Sequence, residues 1–248
     1  MTIPAGYRGS ARRMTDKAIA RVAFKLGCGE DAIHAILDVE ARGSGFDEYG
    51  RPAMLFEPHI FYRNLSGRQR DAAIRAGIAY PKWRKGYPRD SYPRLAAAVA
   101  INPEAAYRSA SWGLSQILGE NFKEAGFRSA ALMVEACCES EDDQLGMMAA
   151  VVQNRGLQRA LKSRDWAAFA MSWNGSGYKE NAYDTRLAAR FAWWQRKPDT
   201  PWTPEFAALE TSSHDIAEPI FVPPPIYLVP PTQPFLARIA NWWHGILL

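Results

Sequence analysis

The chain has 248 residues, of which 48% are hydrophobic and 23% are charged. This composition is ordinary for a soluble globular protein, and it excludes a chain that is disordered throughout, a collagen-like chain and a coiled coil. No stretch approaches the roughly 18 consecutive apolar residues of a membrane-spanning helix. The length is sufficient for one large domain with a sizeable core.

The net charge of +4 is unevenly distributed along the chain. Residues 198–248 carry five acidic side chains and one basic side chain, so residues 1–197 have a net charge of +8. A basic body suits an anionic polymer such as nucleic acid, acidic lipid or bacterial cell wall. Because the basic residues are scattered and form no DNA- or RNA-binding signature, we expect no nucleic-acid partner.

The sequence offers no metal or disulfide framework. Three cysteines, two of them adjacent, are predicted to be reduced and partly buried, and the four histidines lack zinc-ligand spacing. The acidic run formed by Glu139, Glu141, Asp142 and Asp143 lacks the pattern of a calcium loop and is predicted to be a solvated helix start. We therefore expect no metal and no cofactor.

The N-terminal part of the chain predicts an arm followed by two helices. Residues 1–14 read as a loose basic arm without the apolar core of a signal peptide, so we expect synthesis in the cytoplasm. A helical pattern opens at Thr15 and ends at Gly27 or Gly29. A second helix begins at Asp31 and stops at the glycines after position 42, which puts Glu40 in its last turn.

The next segment predicts the β element of a mainly helical body. A turn over 47–52 precedes the apolar run 53–56, which leads into Glu57 and indicates a small β-hairpin. Residues 80–93 are rich in Pro, Tyr and basic residues and predict an ordered surface loop. Helical patterns follow at 91–101, 103–110, 114–124, 128–139, 141–155, 156–163, 165–173 and 180–195.

The composition changes after Lys197. Ten of the 17 prolines lie in 198–248, which predicts an extended proline-rich linker. The chain ends in an apolar, aromatic segment, residues 235–248, which is too short to span a bilayer. This segment could dock on the body or on a partner, which we favour, or lie in a membrane interface.

Glu40 is the first candidate for catalysis. A glutamate at the end of an apolar helix, followed by glycines and a hairpin, can be held between a hydrophobic wall and a cleft. Desolvation there disfavours the carboxylate and raises its pKa. Protonation of a glycosidic oxygen requires such a neutral carboxylic acid. From its position alone, Glu40 would more often be an ordinary solvated residue at a helix end.

An ordered set of motifs resembles the N-acetylmuramidase family of phage endolysins. The motifs are Ile36–Phe46, Gly50–Pro52, Leu55–Arg63, Ser109–Gly119, Asp165–Ala170 and Asn174–Tyr178. The resemblance covers about residues 15–195. It implies a mainly α, lysozyme-like α+β domain with a small β-hairpin over 15–197, which cuts the bacterial wall glycan without a cofactor.

The resemblance implies two catalytic carboxylates. Glu40 matches the family's catalytic acid and Glu57 its second functional carboxylate. Glycoside hydrolysis needs one protonated and one ionised carboxyl group facing one cleft. The alternative for Glu57 is a structural ion pair with a nearby base, which would be Arg51, Arg63 or His59. Asp47 and Glu48, in the predicted turn, are rivals that rank lower because Asp is common in turns for local hydrogen bonding.

The resemblance also implies substrate-binding residues. The run from Ser111 through Gly113 to Gln116 is similar to the Gly-Leu-Met-Gln segment of lytic transglycosylases and goose-type lysozymes, where backbone and amide contact sugar. A tight turn entering a buried helix is the equal alternative. Asn174 and Tyr178 end the last motif, and Tyr178 could stack on a sugar or bind an N-acetyl group. Two positions depart from the family pattern, Trp173 and Ser176.

The aromatic residues Trp112, Trp83 and Tyr87 are weaker candidates for stacking on a sugar ring, since core packing or loop anchoring more often explains such residues.

The whole pattern favours a muramidase that is expected to be monomeric. Its partner would be bacterial peptidoglycan, and it would act on the wall after release or delivery. The alternatives are a lytic transglycosylase, which forms anhydromuramic ends, and a non-catalytic wall-binding protein.

Overall fold

The computed structural model describes residues 2–40 and 43–204. Most of the predicted proline-rich linker, and all of the predicted docking segment 235–248, lie outside the described residues. Within the described residues, no helix is both long and apolar enough to cross a membrane.

Helices dominate the described part of the chain, as the sequence predicts. Their bounds are α1 Asp16–Leu26, α2 Glu30–Glu40, α3 Pro58–Asn64, α4 Gly67–Arg75, α5 Tyr92–Val99, α6 Pro103–Arg108, α7 Ala130–Glu139, α8 Glu141–Asn154, α9 Gln158–Ser163, α10 Trp166–Asn174 and α11 Tyr183–Trp194. Local signals set several ends. The side chain of Thr15 accepts a hydrogen bond from the backbone N of Ala18 and begins α1, and Gly27, with φ of 66°, ends it.

The fold also contains a small antiparallel sheet of three strands. Its strands are β1 (Met54–Phe56), β2 (Ala110–Trp112) and β3 (Ile117–Leu118), in that order across the sheet. The predicted hairpin over 46–57 is only partly present, because Phe46 and Pro52 close the turn by a single bridge while β1 pairs with β2. The predicted helix over 114–124 is wrong. Gly113 and Gln116 have φ of 68° and 48°, which turn the chain back so that β3 can pair with β2.

The core lies between α2 and the helices around it. Helix α2 buries Ile33, Ile36 and Val39, and it packs against α1 and most extensively against α11. Helix α8 packs against α1 and α7. The three cysteines are unpaired, with Cys137 and Cys138 buried and Cys28 half-buried. The apolar spacing of the sequence therefore predicts the buried faces of α1 and α2 correctly.

The N-terminal arm lies against the body and is not loose as predicted. The backbone of Arg12 pairs with Ser140, between α7 and α8. The ring of Tyr7 contacts those of Tyr92 and Trp112, at centroid distances of 5.1 and 6.0 Å. The arm thus covers the outer side of β2 and α5, which a charge pattern alone could not indicate.

The residues that follow α11 also pack against the helical domain. The backbone N and hydroxyl of Thr200 donate to the two carboxyl oxygens of Glu30, at 3.0 and 2.7 Å. The ring of Trp202 lies 5.6 Å from that of Phe24 on α1. The first residues of the proline-rich segment are therefore fixed to the start of α2.

Candidate active site

Glu40 is the last residue of α2, and α11 fixes this helix from the side. Asp38 accepts hydrogen bonds from Arg190 Nε and Trp194 Nε1, both at 2.7 Å. One turn earlier, the ring of His34 stacks on Trp194 at a centroid distance of 3.7 Å. Because these contacts fix the exposed side of α2 while its apolar side enters the core, the direction in which Glu40 leaves the helix is well determined.

The carboxyl group of Glu40 lies in a largely desolvated position. Its Oε1 is buried and has no hydrogen-bond partner among the described residues. Burial raises the pKa of Glu40 to about 8. The charge of Arg186 and the side chains of Asn174 and Trp173 act in the opposite direction, but burial is the larger effect. Glu40 is therefore protonated at neutral pH, as general-acid catalysis requires.

Arg186 was missed by the sequence analysis. It projects from α11 and donates to the carbonyl oxygen of Val39 at 3.4 Å, in the last turn of α2. A cation at a helix C-terminus interacts favourably with the exposed carbonyls of the last turn. No local pattern marks Arg186, since only the packing of α11 on α2 brings it to Glu40.

Glu57 follows β1 directly and is 1% exposed. In the β1–β2 register Leu55 lies opposite Ser111, so Glu57, two residues further along the strand, is the diagonal neighbour of Ser111. The Ser111 hydroxyl donates to Glu57 Oε1 at 3.3 Å, and His59 Nε2 lies 3.7 Å from Glu57 Oε2. Sheet pairing thus joins two of the predicted site residues, Glu57 and Ser111.

The rival carboxylates occupy different surroundings. Asp47 accepts from the backbone N of Tyr49 and of Arg51, and its Oδ2 accepts from Arg51 Nε at 2.7 Å. These bonds commit Asp47 to its own turn. Glu48 is exposed on the same turn. The turn therefore explains Asp47 by local hydrogen bonding, in agreement with its lower rank.

Gly113 and Gln116 shape the β2–β3 turn. Gln116 Nε2 donates to the carbonyl oxygens of Ala53 and Gly113, at 3.0 and 2.9 Å, which ties the turn to the residue before β1. A Cβ atom on Gly113 would lie 2.8 Å from the amide carbon of Gln144, so internal packing already requires glycine there. Contact of either residue with sugar stays a prediction.

Asn174 is the last residue of α10, and Tyr178 follows four residues later. Asn174 is 2% exposed, and its side chain acts on the carboxyl group of Glu40, whose pKa it lowers. Contact of Asn174 with sugar stays a prediction. Tyr178 is 5% exposed, in a 3₁₀ helix over Ser176–Asn181, so its ring face packs in the core and stacking on a sugar has little support.

The other aromatic candidates differ in the same way. Trp112 is 1% exposed and donates to the carbonyl oxygen of Tyr107 at 3.0 Å, which makes it a core residue. Trp83 and Tyr87 form a ring pair with centroids 6.4 Å apart on the loop before α5, in agreement with the predicted ordered loop.

Two residues of α8 connect the loop after Glu40 to the sheet. Glu141 accepts from the backbone N of Gly45 at 2.7 Å, and it is 4% exposed, so the predicted solvated helix start is wrong for this residue. Gln144 accepts from the backbone N of Leu114 at 2.7 Å and donates to the carbonyl oxygen of Gly45 at 3.3 Å. A buried glutamine in an otherwise apolar helix face was the signal that could have indicated this role.

No group of three or more His, Cys, Asp or Glu side chains suitable for a metal ion is present within residues 2–40 and 43–204. The site contains one protonated carboxyl group with the amide of Asn174 beside it, and one buried carboxyl group that accepts a hydrogen bond from a hydroxyl. This is the donor set of acid-catalysed glycoside cleavage.

Comparison with known proteins agrees with this chemistry. The family model of N-acetylmuramidase matches residues 30–195. A crystal structure of an endolysin from Burkholderia phage AP3 is similar, with 37% sequence identity and a TM-score of 0.69, and the match covers 77% of this chain and 75% of the endolysin. No curated protein matches the chain. The chain therefore belongs to the N-acetylmuramidase family and is a lysozyme-like glycoside hydrolase that acts on peptidoglycan, of the type found in phage endolysins.

Proposed function

We propose that the protein cleaves the β-1,4 bond between N-acetylmuramic acid and N-acetylglucosamine, with Glu40 as general acid. The observation that carries this proposal is the desolvated carboxyl group of Glu40, whose pKa of about 8 keeps it protonated at neutral pH. Glu40 gives its proton to the glycosidic oxygen while the bond from that oxygen to C1 of the muramic acid breaks. The positive charge then rests on the muramic sugar ring until water adds at C1 and gives its proton to the carboxylate of Glu40, which restores the acid.

Glu57 serves this reaction as an electrostatic partner. At 1% exposure its carboxylate has little access to bulk water, so direct activation of a water molecule is the less favoured role. An ionised carboxyl group at this position stabilises the positively charged sugar, and the interior strengthens this effect because it screens charge poorly. Ser111 and His59 hold the carboxylate in place.

The burial of Glu57 also favours one alternative reaction. In a lytic transglycosylase the 6-hydroxyl of the muramic acid attacks C1 in place of water, and a single catalytic glutamate is sufficient. Both reactions begin with the same proton transfer from Glu40, so they differ only in what attacks C1. A non-catalytic wall-binding protein is disfavoured, because it would not need a carboxyl group held in its protonated form.

Mass spectrometry of the soluble products from purified peptidoglycan separates these possibilities. We expect reducing N-acetylmuramic acid ends from the wild type and none from Glu40→Gln, while Glu48→Gln, an exposed carboxylate on the nearby turn, keeps full activity. Anhydromuramic ends would assign the transglycosylase reaction, and reducing N-acetylglucosamine ends would move the cut to the other bond. No products from any variant would favour the binding protein.

The basic body supports action on the anionic cell wall. Residues 1–197 have a net charge of +8, which concentrates the enzyme at a negatively charged polymer before the site engages its substrate. We infer that the protein works as a monomer on the wall after release or delivery from the cytoplasm.

A further inference from the structure

A group of buried hydrogen-bond donors lies on the loop before α5 and on the first turn of that helix. Arg94 Nη1, Ser91 Oγ and Trp83 Nε1 are buried and have no hydrogen-bond partner among the described residues. Buried donors in folded proteins are nearly always satisfied by protein, ordered water or a ligand. Three unused donors in one short segment therefore indicate a place built to receive an acceptor.

These donors adjoin the Glu57 side of the site. Helix α5 packs against β1, the strand that ends just before Glu57, and Tyr92 donates to the carbonyl oxygen of Pro52 at 2.8 Å. Ser91 and Arg94 are three residues apart on the first turn of α5, so they share one face of the helix. The loop and the helix start are thus fixed next to the strand that delivers Glu57.

Tyr80 connects the donor group to Glu57. The Arg84 guanidinium lies over the ring of Tyr80, 4.3 Å from its centroid. Burial raises the pKa of Tyr80, the charges of Arg94 and Arg84 lower it, and Glu57 raises it, so the Tyr80 hydroxyl interacts with all three side chains. We call Tyr80, Trp83, Arg84, Ser91 and Arg94 the Arg94 cluster.

The chemistry of the Arg94 cluster fits a carboxylate. The cluster presents two guanidinium groups, two hydroxyls and an indole N–H, and the carboxylate of the neighbouring Asp90 pairs with Arg51 at 3.3 Å. The planar fork of arginine matches a carboxylate better than any neutral acceptor. The amino sugars of the wall glycan carry neutral N-acetyl groups, whereas the stem peptides attached to muramic acid carry free carboxylates.

We propose that the Arg94 cluster is a subsite that binds a stem-peptide carboxylate and thereby selects glycan strands that carry peptides. The proposal rests on the proposed function, since it names what the same cleft recognises beside the scissile bond. Arg94 supplies the direct contact, while Arg84 adds a second positive charge to the cluster. The cluster contributes binding and specificity and takes no part in proton transfer.

Binding to insoluble sacculi tests the subsite without turnover. Glu40→Gln serves as the background, and Arg94→Gln is added to it. The matched control adds Arg21→Gln, which removes the same charge from an exposed position on α1. Each protein is titrated with native sacculi and with sacculi whose carboxylates have been converted to amides. We expect Arg94→Gln to lower affinity for native sacculi about tenfold, the effect of losing one charge-assisted hydrogen bond, and to have no effect on amidated sacculi.

The outcomes separate the subsite from its rivals. Equal losses for Arg94→Gln and Arg21→Gln, or equal losses on native and amidated sacculi, would overturn the proposal in favour of general charge attraction. Peptide-free glycan strands, which keep the lactyl carboxylate of muramic acid, identify which carboxylate Arg94 binds. If Arg94→Gln leaves the affinity for these strands unchanged, the bound carboxylate belongs to the stem peptide. A tenfold loss of affinity would assign it to the lactyl group and overturn the proposal.

Two further comparisons separate a folding defect, and a failure of the proposed reaction, from a failure of the subsite. Arg94→Lys keeps the charge but not the fork, and we expect it to fold and to bind with intermediate affinity. A wild type that produces unexpected glycan ends would refute the proposed bond, yet the affinity difference at Arg94 would persist. Correct ends together with no affinity difference would refute the subsite alone.

Discussion

Glu40 is expected to destabilise the folded protein at high pH, and its removal should reverse this. In the unfolded chain the carboxyl group has its ordinary pKa of 4.5, whereas burial raises the pKa in the folded protein to about 8. Between these two values the folded state binds more protons than the unfolded state. The free energy of unfolding therefore falls as pH rises from about 4.5 to about 8, and it levels off above that.

The size of this effect follows from the same two values. A tenfold change in proton affinity corresponds to about 1.36 kcal/mol, so the shift of the Glu40 pKa is equivalent to ~5 kcal/mol at most. Glu40→Gln removes the charge and keeps the shape. We expect the variant to match the wild type near pH 4.5 and to be ~3–5 kcal/mol more stable at pH 9, a difference of roughly 10 °C in Tm for a domain of this size.

Urea unfolding at several pH values between 4.5 and 9 measures the difference directly. The matched control is Glu48→Gln, which removes an exposed carboxylate from the nearby turn and should leave the pH dependence of the wild type unchanged. Parallel stability curves for the wild type and Glu40→Gln across this range would refute the desolvated carboxyl group, and with it the physical basis for assigning the acid.

Four further predictions concern activity and packing. The alkaline limb of kcat/KM should lie near pH 8, where Glu40 loses its proton, and a limb near pH 5 would contradict the assignment. Gln144→Ala should lower the free energy of unfolding by about 2–4 kcal/mol in urea, since it leaves the backbone groups of two loops without partners. Gly113→Ala should cost about 1–2 kcal/mol for its positive φ alone, and less when combined with Gln144→Ala because the clash is relieved; full additivity would argue against that contact. Tyr7→Ala should cost about 1–2 kcal/mol by thermal unfolding, and an unchanged Tm would mean that the arm is loose after all.

Local patterns were sufficient for helices α1 and α2 and for the first catalytic candidate, whereas α3 and α4 were not predicted. The spacing of Ile33 and Ile36 defines the buried face of α2, so both the element and the place of Glu40 in its last turn could be read from adjacent residues. Likewise Thr15 and Gly27 mark the ends of α1 by capping interactions that span only a few residues. Such features depend on neighbours along the chain, which is why sequence predicts them well.

The tertiary structure decided what surrounds the two carboxyl groups. Strand β1 pairs with β2, more than fifty residues away, and only this pairing places Ser111 beside Glu57. Arg186 reaches the end of α2 from α11, and Gln144 joins two loops from α8. Periodicity and turn chemistry carry no information on which distant segments meet. The desolvation that raises the pKa of Glu40 therefore comes from packing that the chain completes only when it is folded.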